Sequence, residues 1–247
     1  MKLTVIGCSD AFGSGGRYHS CYLLETSRGR ILLDCGANSP LALKRAGIAI
    51  TSIDAIVISH CHGDHFGGLP VHFLERMFVD RGPKPLEILG PPGIKQRSDA
   101  LLECIYPKIG SLPREFETIY RELRPGAVTE WRKLPISAFA VEHFSGSPSL
   151  ALSFADMERR FSFSGDSTWC EGVVAAGRNA DLYLIECTNY STLSSVHLDY
   201  ATIAKNFDRI GAKRYLLTHF SEEMLASRDK IDTARCIAAE DGLAIAV

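Results

Sequence analysis

Short runs of apolar residues recur along the whole chain, and several of them alternate with polar residues as half-buried strands do. This pattern predicts strands at 3–6, 21–25, 30–33, 56–58, 86–89, 136–142, 150–154, 160–164, 181–185, 214–217 and 243–246. Apolar residues spaced three and four positions apart predict helices at 39–46, 69–79, 199–210 and 229–240. Residues 94–124 also show a helical pattern, which is interrupted near Gly110 and Pro113.

The order of these elements favours a layered α/β fold. Strands precede helices in both halves of the chain, which suits an αββα arrangement of two sheets covered by helices. No low-complexity linker or change of composition divides the chain, so we expect one domain over residues 1–247.

Composition narrows the class of protein further. Hydrophobic residues make up 46% and charged residues 23% of the chain, as in ordinary globular proteins. The formal net charge of −2 argues against a broad surface for nucleic acid. No apolar stretch approaches the roughly 20 residues of a membrane span. Residues 1–7 are too brief for a signal-peptide core. Eight cysteines without a Cys-X-X-Cys pair predict thiols rather than disulfides, so we expect a cytoplasmic protein.

The strongest chemical signal follows the apolar run that ends at Ser59. His60, His62, Asp64 and His65 occur within six positions, on a loop between a predicted strand and a predicted helix. Imidazole and carboxylate groups are ligands that Zn²⁺ prefers. Because six residues are too few for one cage, we expect His60 and His62 to face one ion and the other two residues a second ion. A solvated polar loop is the alternative interpretation.

Other candidate ligands occur where later strands end. His143, Asp166 and His219 each follow an apolar strand. Loops at one edge of a layered α/β fold converge, so residues distant in sequence can surround one site. Asp34 also ends a strand, and we expect it to hydrogen-bond the loops beneath the metals rather than to bind them. Together these positions predict a two-metal site.

The His-X-His-X-Asp-His motif resembles the signature loop of the metallo-β-lactamase superfamily. This resemblance implies a four-layer αββα sandwich with the metals at one edge of the two sheets. It also implies two divalent ions, zinc before manganese or iron, and a bridging carboxylate. The ligands it implies are His60, His62 and His143 for one ion, Asp64, His65 and His219 for the second, and Asp166 between them.

A second set of residues resembles the ribonuclease Z branch of that superfamily. His197 precedes the helix that leads to the last ligand, and Glu186 lies in a stretch similar to the branch's His-Glu-Ala-Thr motif. The resemblance implies phosphodiester hydrolysis by a metal-bound hydroxide that Asp64 orients. His197 would protonate the leaving oxygen, and Glu186 would raise the pKa of His197. Capping of the following helix is the alternative role for His197.

One departure from this branch concerns the substrate. Bacterial ribonuclease Z enzymes carry a long arm for transfer RNA between the third-motif histidine and the bridging aspartate. Residues 144–165 leave room only for a hairpin, so we expect no extended binding of transfer RNA. A small phosphodiester or a cyclic nucleotide is the expected substrate. By analogy with the branch, a homodimer is expected.

Several alternatives stay open at the level of sequence. The same scaffold supports hydrolysis of carboxylic esters, thiol esters or lactones, and a mononuclear-iron sulfur dioxygenase has the same signature. A metal-stabilised binding module without catalysis is a third alternative. Residues 94–124 either cover one sheet face or form a lid over the cleft. His72, inside a predicted helix, is expected to be structural.

Overall fold

The alternating apolar pattern folds into two seven-stranded sheets that stack face to face. In the computed structural model, which describes residues 1–247, the first sheet has the strand order β14-β1-β2-β3-β4-β5-β6. Its strands are β1 (Lys2–Gly7), β2 (Cys21–Thr26), β3 (Gly29–Leu33), β4 (Ala55–Val57), β5 (Leu86–Gly90), β6 (Thr118–Glu122) and β14 (Ala244–Ala246). The strands from β3 to β6 are parallel, and β14, β1, β2 and β3 pair antiparallel.

The second sheet repeats this plan with the order β13-β12-β11-β10-β9-β8-β7. Its strands are β7 (Val128–Trp131), β8 (Leu134–Val141), β9 (Ser149–Asp156), β10 (Arg159–Phe163), β11 (Leu182–Glu186), β12 (Tyr215–Thr218) and β13 (Cys236–Ala238). Strands β7 to β10 pair antiparallel, and β10 to β13 are parallel. Apart from β14, each half of the chain therefore supplies one sheet.

Helices cover the outer face of each sheet. The helices are α1 (Ser39–Arg45), α2 (Gly63–Phe66), α3 (Leu69–Phe78), α4 (Ile94–Ile105), α5 (Glu171–Gly177), α6 (Tyr200–Lys205), α7 (Phe207–Ile210) and α8 (Glu222–Ser227). Single 3-10 turns occur at Ser14–Gly16, Ile50–Ser52, Ile109–Ser111 and Arg228–Lys230. No helix has both the length and the apolar composition that crossing a membrane would require.

Period-two alternation explains how one strand contributes to two cores. In β2, Tyr22 and Leu24 belong to the apolar cluster between the sheets, whereas Cys21 and Leu23 belong to the cluster under the first helical layer. A third cluster lies between the second sheet and α5 to α8. Burial of alternate side chains on opposite faces of a sheet fixes its register, because a one-residue slip would exchange the two faces. The result is the predicted αββα sandwich.

Most predicted strands are confirmed, but two predicted helical regions are wrong in part. Residues 118–122 form β6 rather than helix, because their β-branched and aromatic side chains pair in parallel with β5. Residues 229–240 hold a 3-10 turn and then β13, which pairs in parallel with β12. The sequence pattern also missed β7, α5 and α8, and the helix predicted at 199–210 is divided at Asn206.

The region 94–124 lies mainly against the first sheet. Ile94, Leu102 and Phe116 are buried in the cluster beneath the first helical layer. None of residues 94–124 lines the cleft described below. The structure therefore supports a covering role over a lid. All eight cysteines are free thiols, six of them buried.

Candidate metal centre

The predicted signature loop lies between β4 and α2 and is held at both ends. The Ile58 amide donates to the carbonyl of Leu89 on the neighbouring strand (2.8 Å), and the Cys35 amide donates to the carbonyl of His65 (2.6 Å). His60 and His65 are buried. Because the backbone is pinned at both ends, the loop can present its polar side chains in one arrangement.

The structure brings all seven predicted ligands to this edge of the sheets. They form two groups whose candidate ligand atoms all lie within 4.8 Å of one another. The groups are His60, His62 and His143, and Asp64, His65, Asp166 and His219. This division matches the two sides that the sequence predicted for the signature loop.

One carboxylate oxygen lies near both groups. Oδ2 of Asp166 is 3.2 Å from Nε2 of His65 and 3.4 Å from Nε2 of His219. The same oxygen is 3.9 Å from Nε2 of both His60 and His143. Asp166 is 3% exposed, so this negative charge is almost entirely removed from water. A buried carboxylate at this position can serve both groups.

Hydrogen bonds to Asp34 and Ser59 set the tautomers of two histidines. Nδ1 of His65 is 2.6 Å from Oδ2 of Asp34, and a carboxylate can only accept here. Ser59 Oγ donates to the same oxygen (2.8 Å), so it accepts from Nδ1 of His60 (3.1 Å). Both rings therefore use Nδ1 for these hydrogen bonds and direct Nε2 to the centre. The expected supporting role of Asp34 fits this geometry.

The second half of the chain holds two further rings in the same way. Nδ1 of His143 donates to the carbonyl of Val196 (2.9 Å). Nδ1 of His219 is 3.1 Å from Oγ1 of Thr188, which itself donates to Glu186 (2.9 Å). Because the Thr188 hydroxyl has used its hydrogen, it accepts from His219, and Nε2 of that ring faces the centre, 3.2 Å from Oδ2 of Asp64. Second hydrogen bonds of this kind orient metal-binding imidazoles.

The unpartnered atoms of the site test whether a cation fits. Nε2 of His60 and Nε2 of His65 are buried without a hydrogen-bond partner. Such atoms are costly in a folded protein unless a ligand or ion satisfies them. Nδ1 of His62 lies 3.0 Å from Nε2 of His143, so two imidazole nitrogens face the same small space. The donor set is nitrogen and carboxylate oxygen, which suits Zn²⁺ and related divalent ions.

Electrostatics support the same conclusion. Burial lowers the pKa of His60 well below its usual range, and the charge of His65 lowers it further, so the His60 imidazole is neutral, as a metal ligand must be. Burial alone would also lower the pKa of His65, but the carboxylates of Asp166, Asp64 and Asp34 outweigh it and raise that pKa well above normal. Carboxylates that favour a proton on an imidazole also favour a divalent cation at the same place.

Backbone conformation at two of these positions is unusual. Asp34 and His219 have φ values of 55° and 63°, in the left-handed region that residues other than glycine seldom adopt. The amide of His219 donates to the carbonyl of Cys8 (3.0 Å), which ties the loop after β12 to the loop after β1. Strained residues of this kind persist where surrounding contacts determine their position.

His197 and Glu186 form a pair at the edge of the centre. Nδ1 of His197 is 3.1 Å from Oε2 of Glu186, and it is 3.8 Å from Oδ2 of Asp166. Glu186 is buried and also accepts from the amide of Ser167. Burial lowers the pKa of His197, but the hydrogen bond and charge of Glu186 outweigh it and raise this pKa to about 9. His197 can therefore carry a proton at neutral pH.

A cleft of about 370 Å³ opens onto these groups. Residues of the segments that follow six strands (β1, β4, β8, β10, β11 and β12) line it. They are Asp10, Ala11, Phe12, His62, Asp64, His143, Phe144, Asp166, Thr188, Asn189, Val196, His197, His219 and Ser221. Sequence reasoning missed Phe12, Phe144 and Thr188 in this set. The stretch similar to His-Glu-Ala-Thr was the one sequence signal that could have identified Thr188.

Comparisons with known proteins agree with this fold. A family profile described as anti-Pycsar protein Apyc1 matches residues 1–241. Ribonuclease Z of Methanothermobacter thermautotrophicus is 26% identical over 95% of this chain and 91% of the relative. The solved metallo-β-lactamase fold protein YhfI from Bacillus subtilis superposes with a TM-score of 0.78 at 21% identity, covering 99% of both chains. The short form of human tRNase Z superposes with a TM-score of 0.78 at 25% identity, covering 100% of this chain and 99% of that one.

These similarities confirm the predicted αββα fold and the predicted relation to ribonuclease Z. The predicted hairpin is also present. Strands β9 and β10 occupy most of residues 144–165, the segment that was predicted to be too short for a transfer-RNA arm.

Proposed function

This chain belongs to the family of the anti-Pycsar protein Apyc1 and is a metallohydrolase of the metallo-β-lactamase fold, and on that premise we propose that it is a phosphodiesterase for small nucleotides. The observation that carries the proposal is the placement of Asp166. Its buried oxygen lies within 4 Å of four imidazole nitrogens from both metal groups and of the protonatable His197.

The proposed ligands are the seven side chains of the two groups, with zinc as the first candidate and manganese or iron as alternatives. When bound, two such ions would lower the pKa of a water molecule and balance the negative charge of a phosphodiester. The protein's contribution is to hold the Nε2 atoms of four imidazoles in place through their Nδ1 hydrogen bonds. This preorganisation avoids reorienting the ligands during the reaction.

Three of the chain's own groups would act on the substrate or its protons. Asp64, which faces the cleft, would orient the attacking water. His197 would give a proton to the leaving oxygen from Nε2, because its Nδ1 is engaged with Glu186. Glu186 would keep His197 protonated and fix its ring. The same pair is typical of general acids whose pKa is tuned upward by a carboxylate.

The size of the cleft and the net charge of the chain favour a single nucleotide as substrate. A cleft of about 370 Å³ is at the lower end of small-molecule pockets. A phosphodiester contained within one nucleotide must be cyclic. A cyclic nucleotide is therefore the smallest substrate that has both a nucleoside and a phosphodiester. The net charge of −2 and the short β9–β10 hairpin give no extended surface for an RNA backbone.

Turnover assays with the metal-loaded protein test the proposal. Protein reconstituted with Zn²⁺ or Mn²⁺ should hydrolyse 3′,5′-cyclic nucleotides and bis(p-nitrophenyl) phosphate. We expect little activity on precursor transfer RNA, p-nitrophenyl acetate or a lactone, and no oxygen consumption. Faster hydrolysis of the carboxylic ester than of any phosphodiester would contradict the proposal. Oxygen consumption would instead support the dioxygenase alternative, and metal binding without any turnover would support a binding module.

Replacement of His197 tests the proposed acid. His197→Ala should leave the metal content unchanged but reduce kcat about 100-fold for substrates with a poor leaving group. The loss should be much smaller for p-nitrophenyl esters of phosphate, because p-nitrophenolate leaves without protonation. Stopped assays on both substrates, with metal analysis of each sample, measure the difference. An equal loss on both substrates would remove His197 from the acid role.

A further inference from the structure

Two phenylalanine side chains in the metal cleft are unusually exposed to solvent. Phe12 is 92% exposed and Phe144 is 89% exposed, and both line the cleft together with the half-exposed Val196. Phenylalanine is among the residues most often buried in folded proteins. Large apolar side chains left in solvent along a cleft that also holds candidate metal ligands indicate a binding role.

The loop that carries Phe12 is held by a buried carboxylate. Oδ1 of Asp10 accepts from the amides of Phe12 (3.2 Å) and Ser14 (3.0 Å). Oδ2 of Asp10 accepts from the Ser14 hydroxyl (2.8 Å). Asp10 is 3% exposed, so these bonds are protected from water. The exposed ring is therefore attached to a backbone with a defined position.

The loop that carries Phe144 is organised in a similar way by hydroxyl groups. Ser149 Oγ donates to the carbonyl of His143 (2.8 Å), the residue next to Phe144. Ser145 Oγ lies 3.0 Å from Ser149 Oγ, and both serines are buried. This network closes the loop directly after a proposed ligand. The backbone that carries Phe144 therefore has a defined position relative to the metal centre.

We infer that Phe12 and Phe144 form a nucleobase subsite, in which the base of the substrate stacks on one or both rings. This inference rests on the proposed function, because it assumes that the phosphodiester lies at the metal groups. Every base has a π-face, and stacking on an aromatic ring tolerates different bases. Phenylalanine offers no hydrogen bond to a base edge. The subsite therefore selects for the presence of a base and accepts both pyrimidines and purines.

Equilibrium binding separates the base from the rest of the nucleotide. The probes are adenosine 5′-monophosphate and ribose 5-phosphate, titrated calorimetrically into the zinc-loaded protein. The measured quantity is base selectivity, the Kd of ribose 5-phosphate divided by the Kd of adenosine 5′-monophosphate. The variants are Phe12→Ala and Phe144→Ala, with Phe12→Trp and Phe144→Trp as aromatic replacements. Met157→Ala is the matched control, because Met157 is 89% exposed but lies outside the cleft.

We expect the wild type to prefer adenosine 5′-monophosphate. In each alanine variant the ratio of the two Kd values should fall about 10-fold. The tryptophan variants and Met157→Ala should keep the wild-type value. Unchanged selectivity in both alanine variants, or equal affinity of the wild type for the two probes, would overturn the inference. The inference would also be overturned if the only change in the alanine variants were weaker self-association, measured by sedimentation. The rings would then form a contact between copies of the chain.

The test also distinguishes this inference from the proposed function. Loss of base selectivity in the alanine variants supports the subsite whether or not cyclic nucleotides are hydrolysed. If the wild type shows base selectivity but hydrolyses no phosphodiester, the proposed function fails and the subsite stands. If it hydrolyses cyclic nucleotides but selectivity does not depend on either ring, the subsite fails and the proposed function stands.

Discussion

At the scale of single residues, the centre depends on which nitrogen of each imidazole is engaged elsewhere. Four rings donate from Nδ1 to fixed acceptors, and their Nε2 atoms face Asp166. A ring turned to the other tautomer would lose both a hydrogen bond and a ligand position. The supporting acceptors are therefore as important to the site as the side chains that face the metal groups.

Replacement of the shared carboxylate should affect both metal groups. Asp166→Asn preserves the shape of the side chain but removes the negative charge near four imidazoles. We therefore expect the affinity for both ions to fall together, by at least about 10-fold, so that the content of both decreases. Metal analysis after dialysis against graded metal buffers measures each ion. Asp229→Asn, at an exposed position, is the control. Loss of one ion with full retention of the other would contradict a bridging role.

The pair of Glu186 and His197 predicts a change in the pH profile. Glu186 raises the pKa of His197 to about 9, so the acid stays protonated at neutral pH and activity is lost as pH rises through that value. In Glu186→Gln the charge is gone, and burial then lowers the pKa. The alkaline limb of kcat should move to lower pH by at least about one unit. Glu158→Gln, at the tip of the β9–β10 hairpin, should leave the limb unchanged.

The grouping of the candidate ligands was predictable from the sequence because each carries a local signal. His60, His62, Asp64 and His65 form a compact motif, and the remaining candidates directly follow apolar strands. Their supporting partners carry no such signal. The acceptor for His143 is the carbonyl of a residue 53 positions away, which any side chain at that position would provide equally. Long-range backbone contacts of this kind follow from the fold and not from a motif.

At the scale of elements, the errors at the two strands that were predicted as helical share one cause. Helical and strand patterns are ambiguous in short segments, and tertiary pairing decides between them. Strand β6 is the outermost strand of its sheet, and it is only half-buried, so its burial pattern lacks clear alternation. Strand β13 has three residues and is likewise an outer strand. Inner strands with strong apolar character, such as β11, were predicted within one residue.

Helix α4 offers a test of covering against lid function. Leu102 is 2% exposed and packs beneath the first helical layer, whereas Ile105 at the end of the same helix is 46% exposed. Leu102→Ala should lower the free energy of unfolding by about 2–5 kcal/mol, because it leaves a cavity in the core. Ile105→Ala should change it by less than about 0.5 kcal/mol. Urea unfolding measures both, and a change of KM in either folded variant would support a lid instead.

At the scale of the whole molecule, the centre joins loops of both sheets. The first half of the chain provides the signature loop, and the second half provides His143, Asp166 and His219. The tie between the amide of His219 and the carbonyl of Cys8 connects the sheets at the same edge. Ions bound there contact both halves of the sandwich, so their binding free energy adds to the stability of the whole fold.

Removal of metal should therefore destabilise the entire protein. An ion present at about 1,000 times its Kd contributes about 4 kcal/mol to the free energy of unfolding. For a chain of 247 residues, loss of that amount lowers Tm by about 10 °C. Calorimetric scans before and after chelation, followed by readdition of Zn²⁺, measure the effect. The Tm of Asp166→Asn should respond much less to the chelator, and an equal response would argue against this origin of the stability.

The division of the chain into two sheet-forming halves has a practical consequence. The connection between β6 and β7 contains Gly126 in a left-handed conformation and is exposed there. A cut at this connection would separate two polypeptides, each holding an incomplete coordination set. Metal binding would then add to the apolar contact between the sheets in favouring their reassociation, so the scaffold lends itself to a split reporter that responds to the divalent ion.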